Sequence, residues 1–288
     1  MSDGTISWRQ LWAETERAVG DRSVARWLCE EASGAEGGGF LGVLSDAATE
    51  RAVHRLDTMI ARVRAGEPVQ YVLGHWSFRH LDLLVDPRVL IPRPETELLV
   101  EYAIAAVAQR PRPLVVVDLG TGSGAIGLSL ATELRHDGLA VWLTDVSPDA
   151  LDVARANTVG VGRAAAHVRV AAGSWFEALP ESLRGSIDLV ASNPPYIDVD
   201  DEAVEPIVRN YEPGLALFAP HEGLAHVRTI VAEAIDWLAP GGTLIAEIGA
   251  TQGAVVAAAL VATGYVDVQV RADLAGRDRF VQAKRAAT

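Results

Sequence analysis

Asn193-Pro194-Pro195-Tyr196 is the stretch of this sequence whose residue types could do chemistry most directly. It follows the apolar run Ile187–Ser192, which reads as a buried parallel strand. Two prolines forbid both ladder hydrogen bonding and immediate entry into a helix, so the backbone must leave the sheet there. Open α/β sheets bind their ligands at the carboxyl ends of strands, where Asn193 would stand. Its side-chain oxygen and a proline carbonyl can each accept a hydrogen from a planar NH2 group, while Tyr196 stacks on the face of that group. Such a site suits methylation of an amide or amino nitrogen, provided a methyl donor lies opposite. Asn-Pro-Pro also reads as a plain turn, and only its surroundings separate the two readings.

The surroundings supply a donor site. Leu114–Leu119 reads as a buried strand, and Gly120-Thr121-Gly122-Ser123-Gly124-Ala125-Ile126-Gly127 then opens a helix. Glycines there let the chain turn tightly and let a ligand approach the backbone. Residues 122–127 spell Gly-x-Gly-x-x-Gly, and Asp145 ends the next strand at the spacing of a ribose-binding acid. That much would also allow a nicotinamide dehydrogenase. Asp118 at the strand end, with glycines immediately after it, points instead to a ligand with an ammonium group and no pyrophosphate, and S-adenosylmethionine is such a ligand. Asp145 would accept from both ribose hydroxyls, and the Trp175 indole, at the exit of the following strand, would pack on adenine or else fill the core.

An amide nitrogen is a poor nucleophile because its lone pair is delocalised into the carbonyl. Two acceptors directed at its hydrogens favour a pyramidal nitrogen whose lone pair faces the sulfonium methyl. Transfer is then an in-line displacement, helped by positioning and by electrostatics that strengthen as charge develops on nitrogen.

The elements that must hold these residues alternate strand and helix. After Asp145, Ser147-Pro148 starts a helix that runs to Asn157. Val168–Ala171 is a strand, Leu224–Leu238 a helix, Pro240-Gly241-Gly242 a turn, Thr243–Ile248 a strand and Ala254–Leu260 a helix. Two strands, Tyr265–Val270 and Arg279–Ala283, close the pattern, too near each other for a crossover helix and therefore antiparallel. Upstream, residues 5–66 read as a helical bundle with its Trp residues in the core, interrupted by a flexible loop over Ser33–Gly39. Val69–Phe78 and Leu81–Val85 read as a β-hairpin linker. It leads to Ile91-Pro92-Arg93-Pro94-Glu95-Thr96-Glu97, where Pro94 suits the first helical position and the two glutamates suit the positive end of a helix.

Bulk properties narrow the class. The 288 residues are 49% hydrophobic, enough for one large and one small core. A formal net charge of −13 argues against a surface that wraps nucleic-acid phosphate. Cys29 is the only cysteine, which excludes an internal disulfide and a cysteine metal cluster and fits a cytoplasmic setting. No metal site is expected. The stretch Met1–Trp8 lacks the layout of a signal peptide, and the longest apolar run, Gly253–Gly264, is well short of the ~20 residues of a membrane span.

From Glu67-Pro68 onward the chain resembles the HemK-type peptide chain release factor glutamine methyltransferases. The resemblance is carried by Leu90–Glu97, Asp118–Gly124, Ser192–Tyr196, Tyr211-Glu212-Pro213 and Asp273–Phe280. Asn-Pro-Pro-Tyr alone is shared with adenine and guanine amino-methyltransferases, whereas the Ile-Pro-Arg-Pro-Glu-Thr-Glu segment is particular to this family. The resemblance implies a Rossmann-like class I methyltransferase α/β sheet, mostly parallel with an antiparallel last strand, at residues 94–288. A β-hairpin linker at 68–93 and a small helical domain at 1–67 that docks the release factor would precede it. It implies that Gly120, Thr121, Gly122, Ser123, Gly124, Asp145, Trp175 and Asn193 bind S-adenosylmethionine, and that Asn193, Pro194, Pro195 and Tyr196 hold the glutamine of the Gly-Gly-Gln motif. Asn193, Pro194 and Tyr196 would serve catalysis. Two stretches depart from the family: Ala219-Pro220-His221-Glu222-Gly223-Leu224 replaces a Gly-Gly-x-Asp-Gly-Leu-like loop, and Gly37-Gly38-Gly39 falls in the least similar part.

The rival reading is a nucleic-acid amino-methyltransferase, since the same pocket would accept a flipped base. The acidic balance and the lack of a basic recognition segment weigh against it. A non-enzymatic donor-binding protein would need the pocket to be lost, yet its parts are intact.

Overall fold

The computed structural model describes residues 6–35, 39–110, 113–134 and 138–287. Residues 1–5 of the N-terminal stretch and 36–38 of the glycine-rich loop lie outside the described residues. The chain divides into two compact units, the second starting at Trp76.

The first unit is helical: α1 (Trp8–Val19), α2 (Arg22–Ser33), α3 (Glu50–Arg64) and α4 (Val69–Leu73). Each long helix starts where its sequence supplies a cap: Ser7 with Gln10 in a capping box, Asp21 accepting from the Ser23 and Val24 N–H groups, and Thr49 accepting from Ala52. Their apolar stripes meet around Phe40, which Trp8 contacts edge-on at 6.1 Å. Cys29 is fully buried there, and its thiol donates to Thr15 Oγ1 at 3.6 Å. The expectation that the Trp residues are core fails at Trp27, which is 37% exposed. On α2 the buried stripe is Ala25, Leu28, Cys29 and Ala32, and Trp27 lies beside it.

Val69–Leu73 is a helix and not the first strand of a hairpin. The Pro68 carbonyl accepts from both Tyr71 and Val72, Gly74 ends the turn in the left-handed region, and the Arg62 guanidinium donates to the Tyr71 and Val72 carbonyls. The hairpin itself is shorter, with β1 (His75–Phe78) and β2 (Leu81–Leu84). It is not a free linker. Arg79 at its turn pairs with Glu133 at 2.7 Å, and the Asn157 amide bonds the N–H and C=O of Leu84 while also donating to the Ser123 carbonyl at 2.8 Å. Residues 68–93 are therefore split: α4 folds with the helical unit, the hairpin with the sheet unit.

The second unit continues with α5 (Thr96–Val107), β3 (Val115–Leu119), α6 (Ala125–Glu133), β4 (Ala140–Asp145), α7 (Pro148–Gly160), β5 (Val168–Ala172) and β6 (Ile187–Ser192). After the Asn-Pro-Pro-Tyr exit come β7 (Ile197–Asp198), α8 (Pro206–Tyr211), α9 (Gly214–Leu217) and β8 (Phe218–Ala219). It ends with α10 (Ala225–Trp237), β9 (Leu238–Glu247), α11 (Gly253–Thr263), β10 (Val266–Ala272) and β11 (Asp278–Lys284). The sheet order is β10-β11-β9-β6-β3-β4-β5, with β11 antiparallel to both neighbours and β9, β6, β3, β4 and β5 mutually parallel. The mostly parallel sheet expected from the alternation is the one observed.

Pro240-Gly241-Gly242, expected as a turn, lies inside β9, because the Gly241 N–H and Gly242 C=O both pair with the Arg285 backbone. The order reverses at β3, so the chain segments leaving β3 and β6 open side by side: Leu119 is in register with Ser192, and the Ser192 hydroxyl donates to the Leu119 carbonyl at 2.8 Å. This is the crevice in which such sheets hold ligands.

Candidate active site

The turn after β3 is built around Asp118. Its Oδ2 accepts from the Thr121 hydroxyl at 2.6 Å and from the Gly127 N–H at 2.9 Å, which fixes the turn onto the start of α6. Oδ1 is buried and has no hydrogen-bond partner among the described residues. Burial pushes this carboxyl up to about 6 against those two bonds. Asp145, at the end of β4, accepts from the Gly122 N–H on Oδ2 and from the Ser147 N–H on Oδ1, each at 2.9 Å. Each of its oxygens keeps a lone pair for a ligand hydroxyl, and burial raises its pKa above the ordinary carboxylate value.

A cleft of about 300 Å³ lies over this turn, lined among others by Gly120, Gly122, Asp145, Trp175, Asn193 and Pro195. Gly120 adopts φ +68, a conformation that L side chains rarely adopt, and its bare Cα faces the Trp175 ring, which a Cβ would meet at 3.4 Å. Trp175 itself holds φ +47, a conformation uncommon for a bulky side chain, and its ring lies 5.3 Å from that of His226. Thr121, Ser123 and Gly124 do not line the cleft; they are the buried turn beneath it, joined through the Ser123 carbonyl to Asn157.

Asn193 reaches the cleft edge from β6. Its Nδ2 donates to Thr96 Oγ1 at 3.3 Å, and the buried Thr96 hydroxyl donates to Glu247 Oε2 at 2.7 Å. The other Glu247 oxygen accepts from the Tyr196 hydroxyl at 3.0 Å, and that hydroxyl accepts from Arg279 Nη1 at 3.4 Å. Burial pushes the fully enclosed Glu247 carboxyl up to about 7 and raises the Tyr196 phenol. The Tyr196 carbonyl is held by the Gln252 amide at 3.1 Å, which also donates to the Glu222 carbonyl. Pro194 and Tyr196 are not part of the cleft wall, and Pro194 is buried.

The Ile-Pro-Arg-Pro segment meets Tyr-Glu-Pro here. Buried Glu212 accepts from the Ile91 N–H at 3.1 Å and pairs with Arg93 at 2.6 Å. The glutamates flanking Thr96 were expected at the helix start, and they do not cap it. Glu95 makes no side-chain cap bond, and Glu97 accepts from the Arg79 N–H at the hairpin turn.

The sequence assigned no site role to Thr96, Glu212 or Arg279, though each lies in a segment that carries the resemblance, and did not single out Glu247, Gln252 or His226. For Glu247 a signal existed: an acid ends the otherwise apolar Leu244-Ile245-Ala246 run of a buried strand, where a charge needs partners. Thr96 was hidden because capping explained its neighbours.

Two family models match. Residues 12–74 match the PrmC N-terminal domain, and residues 95–212 the methyltransferase small domain. The release factor glutamine methyltransferase of Burkholderia pseudomallei is 46% identical over 222 residues, 76% of each chain. That of Geobacter sulfurreducens is 35% identical over 277 residues, covering 96% of this chain and 94% of its own. The protein belongs to the release factor glutamine methyltransferase family.

The fold of this methyltransferase agrees. The N-terminal domain of human METTL16, solved in complex with SAH, superimposes with TM-score 0.53 at 17% identity over 84% of this chain and 85% of its own. That likeness is one of fold alone. Among the described residues, no group of three or more His, Cys, Asp or Glu in this methyltransferase could hold a metal ion, and no helix is long and apolar enough to cross a membrane.

Proposed function

We propose that this enzyme transfers a methyl group from S-adenosylmethionine to the side-chain amide nitrogen of the glutamine in the Gly-Gly-Gln motif of class 1 peptide chain release factors. The observation that carries the reading is the setting of Asn193. Its Nδ2 donates to Thr96, which leaves Oδ1 available to a ligand, and the residue lines the cleft over the glycine turn.

The residues present fit the donor. The cleft is at the size expected of a small-molecule site, the free lone pairs of Asp145 suit a pair of ribose hydroxyls, and the Trp175 ring beside Gly120 suits a flat base. S-adenosylmethionine would supply an electrophilic methyl group on a sulfonium centre and leave as S-adenosylhomocysteine. The protein's part is positioning. Asn193 Oδ1 and a carbonyl of the Pro194-Pro195 pair accept the two amide hydrogens, directing the nitrogen lone pair toward the cleft. Tyr196, outside the cleft wall, serves by anchoring the turn that carries Asn193 through its hydroxyl bond to Glu247. No strong base is needed, because the proton of the developing ammonium-like product is acidic and can pass through these acceptors to water.

The helical unit preceding the hairpin would dock the body of the release factor, and that substrate places the enzyme in the cytoplasm. Transfer of labelled methyl from the donor to purified release factor tests the reading, with a Gln-to-Ala change in Gly-Gly-Gln as control and total tRNA and DNA as competitors. Label confined to the intact Gly-Gly-Gln loop supports it. Label on nucleic acid, with none on the factor, replaces it with base methylation.

A further inference from the structure

We infer that Thr96 and Glu247 are positioning residues that set which end of the Asn193 amide faces the substrate. The inference rests on the proposed role of Asn193 as acceptor of a substrate NH2 group and extends it to the buried chain behind that residue.

Hydrogen-bond polarity fixes the orientation of the amide. Arg279 can only donate, so the Tyr196 hydroxyl, which accepts from it, must send its own hydrogen to Glu247 Oε1. An ionised carboxylate can only accept, so the Thr96 hydroxyl must send its hydrogen to Glu247 Oε2. The Thr96 oxygen then offers only lone pairs in the direction of Asn193. The Asn193 amide must present NH2 to it and hence Oδ1 to the cleft. Reversed, the amide would aim a donor at the donor hydrogens of a substrate amide, and two donors facing each other repel.

The sheet explains why these residues meet. Ser192 is in register with Ala246 on the adjacent parallel strand, so Asn193 and Glu247 are the next residues on each, and Thr96 at the start of α5 closes the gap between them. Both Thr96 and Glu247 are buried, and neither lines the cleft, so they reach substrate only through Asn193 and Tyr196.

Protonation of Glu247 undoes the polarity. A carboxyl hydrogen directed at Thr96 turns that hydroxyl around, and the Thr96 hydrogen then favours Asn193 Oδ1. The groups facing Glu247 are Thr96, Tyr196, Arg279 and the Glu95 carboxylate, of which Arg279 favours ionisation and Glu95 opposes it.

The test compares wild type, Thr96→Val, Thr96→Ser, Glu247→Gln and Asn193→Ala. It reads kcat and KM for release factor, donor affinity by calorimetry, and kcat against pH. Thr96→Val keeps the shape and removes the hydroxyl. It should lower kcat at least about tenfold with donor affinity within about twofold of wild type, and Thr96→Ser should restore most of the rate.

Wild-type kcat should climb as pH rises through about 7, and Glu247→Gln should lose that inflection. Asn193→Ala inactive with Thr96→Val at wild-type kcat overturns the inference and leaves the proposed function standing. Asn193→Ala at wild-type kcat overturns both. Equal losses in Thr96→Val and Thr96→Ser also overturn it, since packing would then explain the effect. Should Thr96→Val fail to fold, the pH profile of Glu247→Gln decides: an unchanged inflection overturns the inference.

Discussion

A Cβ on Gly223 would stand 2.0 Å from the carbonyl oxygen of Tyr196. Gly223 ends a run of three left-handed residues, His221 at φ +58, Glu222 at φ +59 and Gly223 at φ +76. This loop presses directly against the backbone that follows Asn-Pro-Pro, with Gln252 donating to both sides of the contact. Gly223→Ala must therefore displace either the loop or Tyr196. Stability should fall by about 1–3 kcal/mol, from the left-handed strain and the clash together, and turnover should fall with it. Thermal melts and initial rates check this; a variant matching wild type in both would mean the loop yields at no cost.

Asn193→Ala removes the acceptor at the cleft edge while leaving the sheet intact. Turnover should drop at least ~100-fold, the scale of losing one positioned polar partner of the reacting group. Steady-state rates with saturating donor measure it, and an unchanged rate would take Asn193 out of the chemistry.

Asp145→Ala is expected to weaken donor binding by roughly 1.5–3 kcal/mol, through loss of charge-assisted hydrogen bonds. Because the same carboxylate receives the Gly122 and Ser147 N–H groups, the variant should also melt at lower temperature than wild type. Calorimetric titration separates the two effects. Wild-type donor affinity in a destabilised variant would leave Asp145 with the turn alone.

The Glu247 carboxyl gives a signed pH dependence. Its pKa is raised from 4.5 in the reference state to about 7 in the folded protein, so between those values the folded state binds the extra proton. Its contribution to stability is therefore fully present below pH 4.5 and is lost as pH climbs to 7, a change on the order of 3 kcal/mol. Glu247→Gln should flatten the stability profile over that window in denaturant titrations. A profile that keeps its slope would assign the dependence elsewhere, Asp118 being the next candidate, with a pKa raised to about 6.

The sequence made the sheet legible because its strands are continuous apolar runs punctuated by glycine and proline. The two motifs that meet at the crevice, Gly120–Gly124 and Asn193–Tyr196, each follow such a run. Short-range patterns misled where one signal had two meanings. Val69-Gln70-Tyr71-Val72-Leu73 is β-branched enough to read as a strand, yet Pro68 before it and Gly74 after it bound a single helical turn that Arg62, in the last turn of the preceding α3, secures through the Tyr71 and Val72 carbonyls. The polar network behind Asn193 was illegible for a different reason. Thr96, Glu247 and Arg279 lie far apart in sequence, and it takes the pairing of β9 with β6 and β11, together with the start of α5, to bring them together.

The burial of Cys29 has a practical consequence. It is the sole thiol in the sequence, it sits in the core of the helical unit against Thr15, and desolvation pushes its pKa up to about 11, so a disulfide reagent at neutral pH finds almost no thiolate to attack. Labelling can proceed only when that unit opens. The rate of thiol modification is thus a built-in clock for the opening of the helical unit, readable without any engineered probe.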